Sequence, residues 1–235
     1  MRIEITGIGW VTAAGTGRGN DYIDFSMPHA PLNKISSTPI FDEPYPQFRR
    51  MDQYSRLGLT AIALALKDAA LAEWTQKRSI GIIASTVYGC LATDIDYYDT
   101  VMSEKGIGAS PALFSYTLPN SYLGEAAIRF GLTGASFVIN EQNASGLDSL
   151  QMAIDHIAWG EIEKMLCGVC DLGCPPNFSG PNQFPPGALF FMLEKIRDRK
   201  SSSYGKLSLQ KTGGILFNRS KINDLADLVQ KCITS

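Results

Sequence analysis

Residues 139–147 read INEQNASGL, from Ile139 to Leu147. The run before them, SFVIN at 136–140, is apolar and β-branched, which predicts a strand. After them Leu147, Leu150, Ile154 and Ile157 recur at spacings of three and four, which predicts a helix with one apolar face from Ser145 to Trp159. A strand that turns directly into a buried helix is where α/β enzymes often place a nucleophile. No residue of this turn is an obvious one. A serine-hydrolase elbow requires G-x-S-x-G, whereas Ser145 has Asn143 two places before it and Leu147 two after, so it reads instead as the N-cap or first-turn residue of the helix.

Working outward, the chain opens with alternating Ile3, Ile5 and Ile8, a strand that runs into the glycine-rich GIGWVTAAGTGRG. The dinucleotide fingerprint G-x-G-x-x-G is not completed there, since Trp10, Val11 and Thr12 follow Gly9 and no amphipathic helix begins. Residues 20–50 are rich in turn formers and read as irregular. From Tyr54 to about Leu71, YSRLGLTAIALALKDAAL predicts a helix buried on most sides. Strand SIGIIAST (79–86) and a polar helix, LATDIDYYDTVMSEKG, follow. An aromatic-rich loop then precedes a helix over Ser121–Phe130, closed by Gly131 and Gly134. Two further strands, KMLCGVCDL and ALFFMLEKI, flank the proline-rich GCPPNFSGPNQFPPG. Five strands with intervening helices indicate a layered α/β domain. Beyond Ile196, KLSLQKT reads as an edge strand or extended arm. SKINDLADLVQKCI reads as a short terminal helix, with Ser220 as a plausible N-cap and Ile222, Leu225 and Val229 as one apolar stripe.

Of the 235 residues, 45% are hydrophobic, enough for a large core, and the formal net charge is −2 with 21 basic and 23 acidic residues. The charges are scattered, so the basic footprint of a nucleic-acid partner is missing. No window supplies the roughly 18 uninterrupted apolar residues of a membrane span, and MRIEITGIGW lacks a signal core, so a cytoplasmic protein is expected. Five cysteines, an odd number, argue against a disulfide framework. CGVCDLGCP invites a metal reading but lacks a fourth close ligand. Cys167 and Cys170, three apart on a strand, face opposite sides of the sheet. No metal and no cofactor are expected.

Taken together, the segments ITGIGWVTAAG, RRMDQYSRLGLTAIALALKDAAL, SPALFSYTLPNSYLGEAAIRFGLTGAS, NASGLDSLQMAIDHIAWGEIEKMLCGVCD and PPGALFFMLEK resemble, in order and at similar spacing, the N-terminal half of a β-ketoacyl synthase. The resemblance covers about residues 2–212. It implies a thiolase-like half, a five-stranded mixed sheet with helices on both faces, with residues 213–235 as a tail bearing a short helix. In the complete family two such halves pack face to face in one chain, so a single half is expected to leave a large apolar face that a partner must cover.

The family's condensation needs a cysteine thiolate at a helix N-terminus and two histidines from the second half. The resemblance puts Asn143 at the cysteine position, and a carboxamide is no nucleophile. His29 and His156 match neither family histidine. The resemblance therefore implies no catalytic residue here and a role like that of a chain-length factor, the subunit that pairs with an active synthase in type II polyketide systems. In those subunits glutamine replaces the cysteine, whereas Gln142 falls one place earlier. Half-length members look like those encoded with aryl polyene pathways.

By position in the family, strand Ser136–Asn140 would pair across the dimer two-fold, bringing Phe137 and Ile139 to the interface. The preceding loop, Ser110–Asn120, would reach the partner's acyl tunnel, making Leu113, Phe114, Tyr116 and Leu118 candidate tunnel-wall residues. The implied partner is a full-length β-ketoacyl-ACP synthase in a heterodimer, together with an acyl carrier protein. Two alternatives are a scaffolding module of an acyl-carrier/synthase complex that does not touch the growing chain, and residual thioester hydrolysis.

Overall fold

The computed structural model describes residues 2–19, 21, 24–36, 40–41, 45–103, 105–142, 145–176, 178, 185–196, 203–210 and 213–234. Asn143 and residues 177 and 179–184 of the proline-rich loop lie outside the described residues. The chain begins with β1 (Ile3–Thr12), which folds back as β2 (Gly15–Arg18) in a tight hairpin. Helix α1 (Gln53–Asp68) follows, its N-cap Asp52 accepting a hydrogen bond from Ser55 N. Then come β3 (Ile80–Thr86), α2 (Leu91–Ser103), the single turn α3 (Pro111–Phe114), α4 (Ser121–Phe130), β4 (Ser136–Asn140) and α5 (Leu147–Trp159). The chain continues through β5 (Lys164–Asp171), β6 (Gly187–Lys195), β7 (Gly205–Leu209), β8 (Ile215–Phe217), β9 (Ser220–Lys221) and α6 (Leu225–Ile233).

The five predicted strands form the heart of one mixed sheet in the order β4-β3-β5-β6-β1, with β4 and β5 parallel to β3 and β6 running against its neighbours. The sheet is larger than the expected five, however: among the described residues it has nine strands. KLSLQKT does become an edge strand, β7, pairing antiparallel with the start of β1, and β8 and β9 extend the sheet beyond it. The added strands exist because β1 would otherwise present unpaired backbone groups along its free side. Ser220 is accordingly in β9 rather than at a helix cap. Asp224 caps α6, its carboxylate accepting from Asp227 N at 2.7 Å.

Strand alternation divides the core. Leu166, Cys170, Phe190 and Met192 face α1 and α4, while Met165, Cys167, Val169 and Phe191 face α5 and α6. Cys167 and Cys170 thus lie on opposite faces, as the period of two requires. Gly7 and Gly9, which suggested a nucleotide fingerprint, are packing notches. A Cβ on Gly9 would lie 2.3 Å from Ala65 N and 2.4 Å from Ala61 O, so only glycine lets α1 sit this close to β1. The broad apolar face expected of a lone half is not open. Leu207, Ile215, Phe217, Ile222, Leu225, Leu228, Val229 and Cys232 from the last strands and α6 cover the sheet beside α5. The exposed large apolar side chains among the described residues include Tyr98, Met102, Ile107, Phe114 and Leu118, all in the stretch from α2 to the start of α4. Among the described residues no helix is long and apolar enough to cross a membrane.

Candidate functional site

The turn between β4 and α5 sits at the C-terminal ends of the parallel strands, where open α/β sheets gather their ligands. Its geometry is set by Glu141. Directly after β4, the Glu141 N–H donates to the Thr86 carbonyl at 2.9 Å, continuing the pairing with β3. The side chain then folds under the turn, 6% exposed. Its Oε2 accepts from Gly146 N at 2.7 Å, and its Oε1 from Asp148 N at 3.1 Å and Ser145 Oγ at 2.8 Å. A helix leaves its first amides without partners and carries partial positive charge there, so a carboxylate satisfies both needs. Sequence reasoning gave the first-turn position to Ser145, and the structure refines that reading. The helix begins at Leu147 after Gly146, and Ser145 Oγ both accepts from Leu147 N at 3.2 Å and donates to Glu141.

Gly146 has φ +72°, a left-handed conformation that glycine adopts without penalty. A Cβ there would lie 2.4 Å from Leu225 Cδ1, because α6 packs its first residue over the turn. Leu225 is fully buried, and its N–H donates to the Ser145 carbonyl at 3.0 Å. One turn later, Ser149 Oγ bonds the carbonyls of Gly146 and Gly168 at 2.8 and 2.9 Å, fastening α5 to β5.

A second buried carboxylate, Asp171, closes the neighbouring loop. Its Oδ2 accepts from Thr86 Oγ1, Val87 N and Tyr88 N, and its Oδ1 from Gly173 N, all at 2.7–2.9 Å. Both acids are spent on holding backbone. Sequence reading gave no role to Glu141 and Asp171, and it placed Leu225 only in the apolar stripe of the terminal helix. The available signals were an acid just ahead of a helix start, an acid closing an apolar strand, and an apolar residue directly after Asp224, which caps the terminal helix.

All five cysteines are free. Cys90, Cys167, Cys170 and Cys232 are buried, and burial pushes their thiols up, Cys90 to about 12 with Asp94 adding to the effect. Such thiols stay protonated and are poor nucleophiles. Cys174, half-buried, donates to the Phe178 carbonyl at 3.3 Å. His29 is exposed in its irregular segment. His156 lies in the last turn of α5, its Nδ1 2.5 Å from Glu161 Oε2 and its ring between Phe137 and Trp159. Among the described residues no group of three or more His, Cys, Asp or Glu side chains is placed to hold a metal ion.

The candidate interface residues fall into two sets. Phe137 and Ile139 lie on β4, which among the described residues is an edge strand paired with β3 alone, and both are half-buried, Phe137 packing on the α5 side. In the Ser110–Asn120 loop, Ser110 caps α3 by accepting from Leu113 N at 3.3 Å. Phe114 is 61% and Leu118 64% exposed, and the Phe114 ring meets Tyr97 at 5.4 Å. Leu113 is half-buried, and Tyr116 packs on the α1 side of the sheet. The structure therefore does not bring Tyr116 and Phe137 onto one face.

Residues 36–180 match the family profile described as "Beta-ketoacyl synthase, N-terminal domain". The chain is 24% identical over 283 residues to a protein of Streptomyces virginiae named as a polyketide β-ketoacyl synthase 1, covering 97% of this chain and 67% of the relative. It is 29% identical over 131 residues to the 3-oxoacyl-(acyl-carrier-protein) synthase 2 of Vibrio harveyi, covering 54% of this chain and 31% of that protein. The chain thus spans from about a third to two thirds of these relatives' length. Among solved structures it superposes on the ishigamide ketosynthase/chain length factor with TM-score 0.67 at 16% identity, over 88% of this chain and 62% of that one. It also superposes on the ketosynthase ApeO in complex with its chain length factor ApeC from Xenorhabdus doucetiae, with TM-score 0.57 at 19% identity, over 83% of this chain and 80% of that one. These likenesses establish a thiolase-like ketosynthase fold.

Proposed function

This chain belongs to the β-ketoacyl synthase family through its N-terminal domain, and we propose that within it the protein is a non-catalytic, chain-length-factor-like subunit. It pairs with a full-length β-ketoacyl-ACP synthase and shapes that enzyme's acyl tunnel, in polyketide or fatty-acid-like synthesis of the aryl polyene kind. The observation that carries this reading is the content of the α5 turn: the described groups that meet the helix N-terminus are a carboxylate and a hydroxyl. The buried thiols elsewhere are held neutral. A thiolate at that position, with electrophilic help, is what acyl transfer in this family requires. Neither histidine is placed to help, since His29 lies exposed in the irregular N-terminal segment and His156 is engaged with Glu161 at the far end of α5.

A partner is favoured by the free edge of β4 and by the apolar side chains of the α2–α3 region, Tyr98, Met102, Phe114 and Leu118, left open to solvent. A free strand edge and exposed apolar side chains are each suited to another chain. With the synthase, the protein would work in the cytoplasm and meet the acyl carrier protein there.

Co-expression with a full-length synthase followed by size-exclusion chromatography tests the pairing. A stable heterodimer is expected, and a chain that elutes alone beside the synthase overturns it. The non-catalytic assignment is tested by incubating the isolated chain with acyl thioesters: neither an acyl adduct by intact mass nor hydrolysis above the blank is expected, and Asn143→Cys does not restore condensation.

A further inference from the structure

Two segments far apart in sequence converge on the start of α5, one polar and one apolar. Glu141 reaches it from the end of β4 and takes the Gly146 and Asp148 amide hydrogens together with the Ser145 hydroxyl. Leu225 reaches it from α6, fills the space beside Gly146 and accepts no solvent, while its own N–H holds the Ser145 carbonyl. We propose that these two residues keep the turn from serving as an acyl site, by charge and by bulk, whatever residue stands at position 143.

The carboxylate does the electrostatic part. A helix N-terminus lowers the pKa of a thiol because its unpaired amides and aligned dipoles favour the anion. Here the same donors are already given to a fixed negative charge, and a second anion beside that charge is disfavoured. The field that would activate a nucleophile is therefore opposed by the carboxylate. The leucine does the steric part, since an acyl group approaching Gly146 from the α6 side meets a buried side chain. This inference rests on the non-catalytic reading and adds to it a cause that is independent of the residue at position 143.

The substitution Ser145→Cys, placed in a Cys174→Ser background so that the remaining native thiols are buried ones, provides a reporter. It exchanges the hydroxyl that contacts Glu141 Oε1 and Leu147 N for a sulfur. The pH dependence of its alkylation by iodoacetamide gives the thiol pKa. With Glu141 present, a value above the roughly 8.5 of a free thiol is expected. Adding Glu141→Gln, which keeps the shape and removes the charge, should lower it by at least about one unit, a tenfold gain in thiolate at a given pH below both values. A reporter pKa unchanged by Glu141→Gln overturns the proposal. Should that variant fail to fold, the parent decides alone, because a reporter titrating below about 8.5 with Glu141 in place also overturns it.

For the leucine, Leu225→Ala should raise the reporter's rate with N-ethylmaleimide severalfold, and an unchanged rate removes Leu225 from the contact. Pairing is read separately. A heterodimer whose reporter has a depressed pKa rejects this contact only, whereas a shielded reporter in a chain that ignores the synthase rejects the pairing only.

Discussion

Leu225 and Ser145 are joined by a backbone hydrogen bond of 3.0 Å, so the last helix of the chain is fastened to the turn that precedes α5. The terminal segment is thus part of the core on that face of the sheet: Leu225, Leu228, Val229 and Cys232 are all buried there.

Leu225→Ala should cost about 2–5 kcal/mol, the usual range for truncating a buried leucine. Urea unfolding followed by circular dichroism should show a lower midpoint with an unchanged slope. Ala226, only partly buried on the same helix, should tolerate substitution by serine with little change.

Gly146→Ala should destabilise by at least about 1–2 kcal/mol from the left-handed backbone alone, and by more because its Cβ would meet Leu225. Combined with Leu225→Ala, the loss should be smaller than the sum of the two, since one substitution makes room for the other. A strictly additive double mutant would show that the two residues do not share the space.

Ile139→Lys on the free edge and Leu118→Lys in the exposed loop before α4 should each abolish co-elution with the synthase while leaving the subunit's own melting temperature nearly unchanged. Ile139 is half-buried on an unpaired strand edge, and Leu118 is already open to solvent. An added charge disfavours strand-edge docking. Undisturbed heterodimer in both variants would place the partner elsewhere.

Phe114→Ala should lengthen the product made by the heterodimer, as mass spectrometry of the released chains would show, if this side chain limits the tunnel. Its high exposure makes the substitution mild for the fold. Tyr116→Ala should act in the same direction but also cost stability, because Tyr116 packs on the α1 side of the core. Unchanged product length in both rejects the tunnel-wall role.

Stability should fall at alkaline pH. Burial raises the Cys90 thiol from 9.0 to about 12. The folded chain therefore keeps a proton that the unfolded chain loses, and the stabilising contribution is complete below pH 9 and declines as pH climbs toward 12. Cys167, Cys170, Tyr54 and Tyr122, whose pKa values burial also raises, act in the same direction. Urea midpoints across this range should drop, and Cys90→Ala should make the drop shallower.

Much of the fold was legible because its elements carry local signatures. The alternation in Ile3, Ile5 and Ile8, the apolar runs of β3 through β6 and the three-four spacing of α5 are periodic, and period follows from backbone geometry alone. The ends of elements were less legible. Ser145 and Ser220 both looked like caps, yet Gly146 precedes α5 and Asp224 caps α6. Which oxygen reaches a helix amide depends on how the preceding turn is folded.

The candidate site divides in the same way. The absence of cysteine from INEQNASGL is a matter of composition and was read from the sequence alone, as was the frame of strand, turn and helix around it. That the turn is tied by Glu141, that Gly7 and Gly9 are notches for α1, and that α6 covers the sheet face expected to lie open were decided only in three dimensions. Each joins residues distant in sequence, or requires one side chain to fold back on its own turn. No periodicity encodes such contacts, because close packing and the pairing of buried polar groups are properties of the assembled core.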